Sequence, residues 1–147
     1  ERYDLCEAQL ELAPELDLPV SVHDREAHAE MYALLRQYRP RGVLHCYSGS
    51  AEDAAWLTAQ GMALGFGGAV TYKGAKRAAK VLAMVPHELA VLETDCPYMA
   101  PVPNRGKRNS SLYLPEVVKT IAEIKGISCE EVVAVTESNA LKVLNLI

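Results

Sequence analysis

Four short apolar runs recur along this chain, each followed by a longer stretch with helical features. They are Val20–His23, Val43–Cys46, Met62–Phe66 and Leu89–Glu93. Strands that alternate with helices read as βα units, and such units build parallel sheets. The strands of a parallel barrel all end at one rim, where catalytic residues gather. Three of the runs lead into a residue able to bind a metal: His23, His45 and, just past the last run, Asp95. Two imidazoles and a carboxylate delivered to one rim from separate strands suit a single cation.

Alternation along each strand sharpens that reading. Ser21 and His23 share one face of the first strand, Val43 and His45 one face of the second, and Val91, Glu93 and Asp95 one face of the last. Glu93 therefore stands beneath Asp95, a position that suits a group orienting a ligand or holding a proton. Cys46 and Cys96 each follow a ligand candidate, so the same alternation turns them away from the metal. His28, on a helix, and His87, in a turn after Pro86, have no such placement and read as surface residues.

The helical segments follow from spacing and punctuation. The first covers Tyr3–Leu16, with Leu5, Ala8, Leu12 and Leu16 at helical spacing, and Pro14 is expected to kink or end it. The second covers Glu26–Tyr38 and buries Ala27, Met31, Leu34, Leu35 and Tyr38. The third starts at Ser50, with Asp53 at the reciprocal capping position, and stops at Gly61. The fourth covers Lys73–Val85. A helix over Leu112–Lys125 is closed by Gly126; a turn from Ser128, with Glu131 completing a capping box, precedes a last helix over Ser138–Leu146.

Between the last strand and these helices lies an irregular stretch, Cys96–Ser111, carrying Arg105-Gly-Lys-Arg-Asn109. A loop of that length in a compact domain is either functional or disordered. The net charge of −4 does not advertise a nucleic-acid binder, so any such role needs a local basic patch. Arg105, Lys107 and Arg108 form one, in the loop after the last strand, where barrels place phosphate-binding groups. Arg25 and Lys73 could reach the same rim. The alternative is that these charges are simply solvated. No apolar run approaches the ~18 residues of a membrane span, and the first residues lack an apolar signal core. With four cysteines that fit no paired zinc pattern, the expectation is a cytoplasmic protein with reduced thiols and no membrane partner.

A closed (β/α)8 barrel needs eight strands and ~250 residues. The expected fold is thus α/β, the C-terminal half of a (β/α)8 TIM barrel with four parallel strands and surrounding helices. Residues 1–147 read as one partial domain, with the N-terminal half of the barrel missing. The start at Glu1 rather than Met fits a trimmed product or a piece of a longer chain. Two outer strands would leave backbone groups unpaired unless something covers them.

His23-Asp-Arg after Leu-Pro-Val, Leu44-His-Cys-Tyr-Ser-Gly49, Leu92-Glu-Thr-Asp-Cys-Pro-Tyr98, Arg105-Gly-Lys-Arg-Asn109 and the closing Asn139-Ala140 region resemble the TatD-like family of metal-dependent hydrolases. The resemblance covers essentially the whole chain and implies a TIM-barrel nuclease fold related to the amidohydrolases. It further implies a divalent-metal hydrolase, usually a deoxyribonuclease working from the 3′ end of DNA. Family ligands carry over to His23, His45 and Asp95. The metal would be Mg, Mn or Zn, with two ions in the complete family site. Asp95 would help take a proton from water with Glu93 beside it, and Arg25, Lys73, Arg105, Lys107 and Arg108 would meet phosphate. The family's His-x-His pair is not found in this sequence, and Asp24 stands where Ser is common.

Two other readings stay open at this point. The same metal and basic residues would serve hydrolysis of an ester on an aminoacylated nucleic acid. Alternatively, the chain is a catalytically impaired half-barrel that pairs its exposed sheet edges with a second copy as a homodimer.

Overall fold

The computed structural model describes residues 2–147. In chain order the elements are α1 (Arg2–Glu15), β1 (Val20–His23), α2 (His28–Tyr38), β2 (Gly42–His45), α3 (Ala51–Ala59), β3 (Ala63–Phe66), α4 (Lys76–Met84), β4 (Ala90–Leu92), α5 (Leu114–Lys125) and α6 (Cys129–Val143). Short 3-10 turns lie at Gly68–Thr71, His87–Leu89 and Ser111–Tyr113. Each strand pairs in parallel with the next, giving the sheet order β1-β2-β3-β4. The expected run of four parallel βα units is what forms.

Register decides which side chains meet. Val22, Leu44, Leu64 and Ala90 line up across the sheet. All four join the main apolar core with Leu35, Leu57, Leu82, Val117 and Ile121 from the helices. The other face carries Ser21, His23, Val43, His45, Gly65 and Val91, with His23 directly beside His45 in the ladder. One face thus packs on helices and the other presents the polar strand ends.

Local chemistry explains three of the helix ends. Ser50 Oγ accepts from the Asp53 amide and donates to the Asp53 carboxylate, a variation on the reciprocal cap expected there. Gly126 closes α5 in the left-handed conformation, and Ser128 with Glu131 forms the expected capping box. Pro14 does not end α1 early; it sits in the last turn.

Three expectations need correction. The stripe Leu5, Ala8, Leu12 and Leu16 is exposed on α1, which buries Leu10 and Ala13 instead. Tyr38 holds α1 to α2 by donating to Glu7 and Glu11, so the apposition is partly polar. The α2 core face includes Tyr32, buried beside Leu34 and Leu35, whereas Met31 and Tyr38 are only partly buried. The separate turn and last helix are one continuous α6. The β-branched run Val132, Val133, Val135 and Thr136 weakens helix propensity locally. Burial of Val132, Thr136 and Asn139 at spacings of four and three overrides it.

Asn139 joins this helix to the sheet. Its Nδ2 donates to the carbonyls of His87 at 2.6 Å and Ala90 at 2.8 Å, at the start of β4. Asn139→Ala leaves both carbonyls short of a donor in a site that is 3% exposed. We expect a loss of ~1–3 kcal/mol, measured by urea unfolding as a lower midpoint with an unchanged slope.

Candidate metal centre

Gly65 shapes this site. A Cβ built at Gly65 would lie 2.0 Å from Glu93 Oε2. The missing side chain therefore lets the Glu93 carboxylate lie across β3 and reach β2. There Oε2 meets His45 Nδ1 at 2.9 Å, and Oε1 accepts the Cys46 amide. The Glu93 amide in turn donates to the Phe66 carbonyl, continuing the β3–β4 ladder past its last strand residue.

With Nδ1 turned to Glu93, His45 presents Nε2 to Asp95 Oδ1 at 3.2 Å. The His23 ring stands 5.8 Å from the His45 ring, as their shared register requires. The structure thus brings His23, His45, Glu93 and Asp95 together on one rim. His45 and Glu93 are mostly buried, whereas Asp95 and His23 face solvent.

Charge and burial compete here. Burial disfavours the His45 cation, but Glu93 and Asp95 together outweigh it and hold the imidazole above its ordinary value. Burial raises Glu93, and the pull of His45 and the Cys46 amide only partly reverses that. Burial, with the Glu93 and Asp95 charges added, lifts the Cys46 thiol to about 11, so it is not a ready thiolate.

The donor chemistry fits a divalent cation: an imidazole nitrogen and a carboxylate oxygen face each other, a second imidazole is adjacent, and the far nitrogen of His45 is held by a carboxylate. The arrangement is not closed. Among the described residues, no group of three His, Cys, Asp or Glu side chains is set around a common point.

The 96–111 stretch is ordered. The amide of Asn109, buried with its side chain, donates to the Pro97 carbonyl, and Nδ2 donates to the Tyr98 carbonyl at 2.7 Å. Thr71 Oγ1 accepts from the Val102 amide, Tyr72 Oη donates to the Ala100 carbonyl, and Gly68 lets the Met99 carbonyl approach closely. The five basic candidates are all exposed, and no hydrogen bond or ion pair links any of them to the metal rim among the described residues. Arg105 lies over the Tyr72 ring at 4.2 Å, which fixes its direction. Lys107 reaches Asn104, while Arg25, Lys73 and Arg108 carry no such contact among the described residues.

Sequence reasoning missed the pair beside the rim. Asp24 is buried, accepts the Ala27 amide and is bonded to His28 Nδ1, so His28 is not merely a surface residue. Asp in a position where Ser is common was the available signal. Tyr32, whose hydroxyl burial pushes up to about 12, and Tyr47, which donates to the Ser50 carbonyl, complete this corner.

Comparison with known proteins agrees with this geometry. A family model described as TatD related DNase matches residues 3–145. An uncharacterized metal-dependent hydrolase, YabD of Bacillus subtilis (strain 168), is 37% identical over 141 residues, covering 94% of this chain and 55% of that protein. The 3′-5′ ssDNA/RNA exonuclease TatD of Pantoea vagans (strain C9-1) is 34% identical over 148 residues, covering 95% of this chain and 57% of that protein. The crystal structure of YjjV, a TatD homolog from Escherichia coli K12, superposes with a TM-score of 0.86 at 30% identity, covering 93% of this chain and 54% of that one. The chain therefore spans about half the length of the curated relatives it matches. A family match running nearly end to end, joined to a rim carrying His23, His45, Glu93 and Asp95, shows that the chain belongs to the TatD-related DNase family.

Proposed function

We propose that this chain supplies part of a divalent-metal phosphodiesterase that shortens single-stranded nucleic acid, DNA foremost, from its 3′ end. The observation that carries the reading is the Glu93–His45–Asp95 relay, in which Glu93 holds Nδ1 and sets Nε2 against the Asp95 carboxylate at the rim. Relatives named as metal-dependent hydrolases and as 3′-5′ ssDNA/RNA exonucleases support it.

In this reading His45 Nε2, Asp95 and His23 hold the cation, which is Mg, Mn or Zn. When bound, it neutralises phosphoryl charge and acidifies water. Glu93 acts as a positioning residue, because both its oxygens are taken up by His45 and the Cys46 amide. Asp95, the more exposed carboxylate, has the free oxygen needed to accept a proton from attacking water. Arg105, held over Tyr72, presents its guanidinium edge to phosphate, and Lys107, Arg108, Arg25 and Lys73 add screening charge. The four cysteines are unpaired, as suits a reducing cytoplasm. The edges of β1 and β4 offer the route for pairing with a second copy.

The direct test is hydrolysis of 5′-labelled single-stranded DNA with Mn²⁺ present. Products shortened stepwise from the 3′ end are expected, and chelator should remove them; no shortening with any divalent cation would overturn the reading. His45→Asn should abolish turnover while circular dichroism stays unchanged. Arg108→Ala should raise KM a few-fold, leave kcat nearly intact and reduce the salt slope by ~0.7 for its single phosphate contact.

A pH prediction follows from the two raised groups. Both bind protons more tightly folded than unfolded, so in metal-free protein stability falls as pH rises. The fall begins near Glu93's ordinary 4.5 and continues above His45's ordinary 6.5. Urea unfolding across that window should show this slope, flattened in the His45→Asn, Glu93→Gln double variant. Divalent-cation affinity should rise over the same range, because His45 must lose its proton to bind.

A further inference from the structure

We propose that the groove between the N-terminal ends of α3 and α4 is a second contact for the substrate backbone, gripping single-stranded nucleic acid beyond the nucleotide at the metal rim. This deepens the function proposed above and rests on it. The groove, about 340 Å³, is lined by Ser50, Glu52, Lys76, Arg77, Lys80 and Val81 among others. Three cations thus face one carboxylate. Among the described residues none of the three cations makes an ion pair, and all are exposed.

Charge segregation is the second observation. The chain carries a net charge of −4, yet no acidic residue occurs between Asp53 and Glu88. The basic residues of that span are Lys73, Lys76, Arg77 and Lys80. Lys76, Arg77 and Lys80 of that span line the groove, a local patch of the kind that phosphate binding needs.

Position is the third. Parallel βα units start each helix at the end where the preceding strand stops, so α3 and α4 begin on the side that carries His45 and Asp95. Only five peptide steps separate His45 from Ser50, a reach of at most ~18 Å. On the α4 side, a tight turn with Ala75 amide to Tyr72 carbonyl and Lys76 amide to Gly74 carbonyl leads from the Tyr72–Arg105 stack directly into Lys76. A nucleic-acid strand running from the rim past Arg105 and Lys73 would enter the groove at Lys76. A trinucleotide bound at the rim offers the groove fewer phosphates than a long strand does.

The test compares a phosphorothioate oligothymidylate of about 20 nucleotides with a trinucleotide of the same chemistry, both with Mn²⁺ present. In the triple variant Lys76→Ala, Arg77→Ala, Lys80→Ala, affinity for the long probe should fall on the order of tenfold and its salt slope should drop by ~2. The trinucleotide should inhibit cleavage of a short substrate as in the unmodified protein, and so should a Lys142→Ala control with the long probe. Unchanged affinity and salt slope for the long probe would overturn the groove and leave the nuclease reading standing. Equal weakening of both probes would place these charges at the rim and also overturn the groove. If the unmodified protein neither binds nor shortens any oligonucleotide, the function itself fails and the groove with it. Lys76→Glu alone, at an exposed position, should weaken the long probe again, and lack of any effect would count against the groove.

Discussion

The site depends on a carboxylate lying where a side chain would ordinarily be. Gly65 leaves a gap over β3, and Glu93 crosses it to bond His45 and the Cys46 amide on β2. That crossing sets the tautomer-determining contact of His45, turns Nε2 toward Asp95 and ties the ends of β2 and β4 together over an intervening strand. A methyl group at Gly65 would collide with the Glu93 carboxylate and so disconnect the imidazole from the group that aims it. Parallel register does the rest, because pairing His23 with His45 brings the second imidazole alongside without further support.

Much of this was legible in the sequence because period-two alternation and strand-end position are strong, local signals. They place His23, His45 and Asp95 on one rim and Glu93 beneath Asp95. The crossing of β3 was not legible, since alternation says which face Glu93 occupies but not how far its carboxylate travels. Gly65 read simply as part of a strand. The Asp24–His28 pair was hidden for a similar reason: it joins a strand end to a helix start, and neither element's own pattern predicts the bond.

Helices were read less well where packing decides. The spacing of Leu5, Leu12 and Leu16 suggested a buried face for α1, yet these residues are exposed and Leu10 and Ala13 carry the contact. In α6 the error ran the other way. A turn from Ser128 and a separate helix from Ser138 are one helix, in which Thr136 returns its hydroxyl to the Val132 carbonyl and burial of the adjoining stripe keeps the β-branched turn intact. The basic loop stood between two readings, and the hydrogen bonds from Asn109, Tyr72 and Thr71 show an ordered segment with Arg105 held in place.

The two carbonyls that Asn139 caps lie 52 and 49 residues earlier in the chain. During synthesis the strand that leads to Glu93 and Asp95 emerges long before its clasp does. The start of that strand gains its side-chain donors only once α6 has been made.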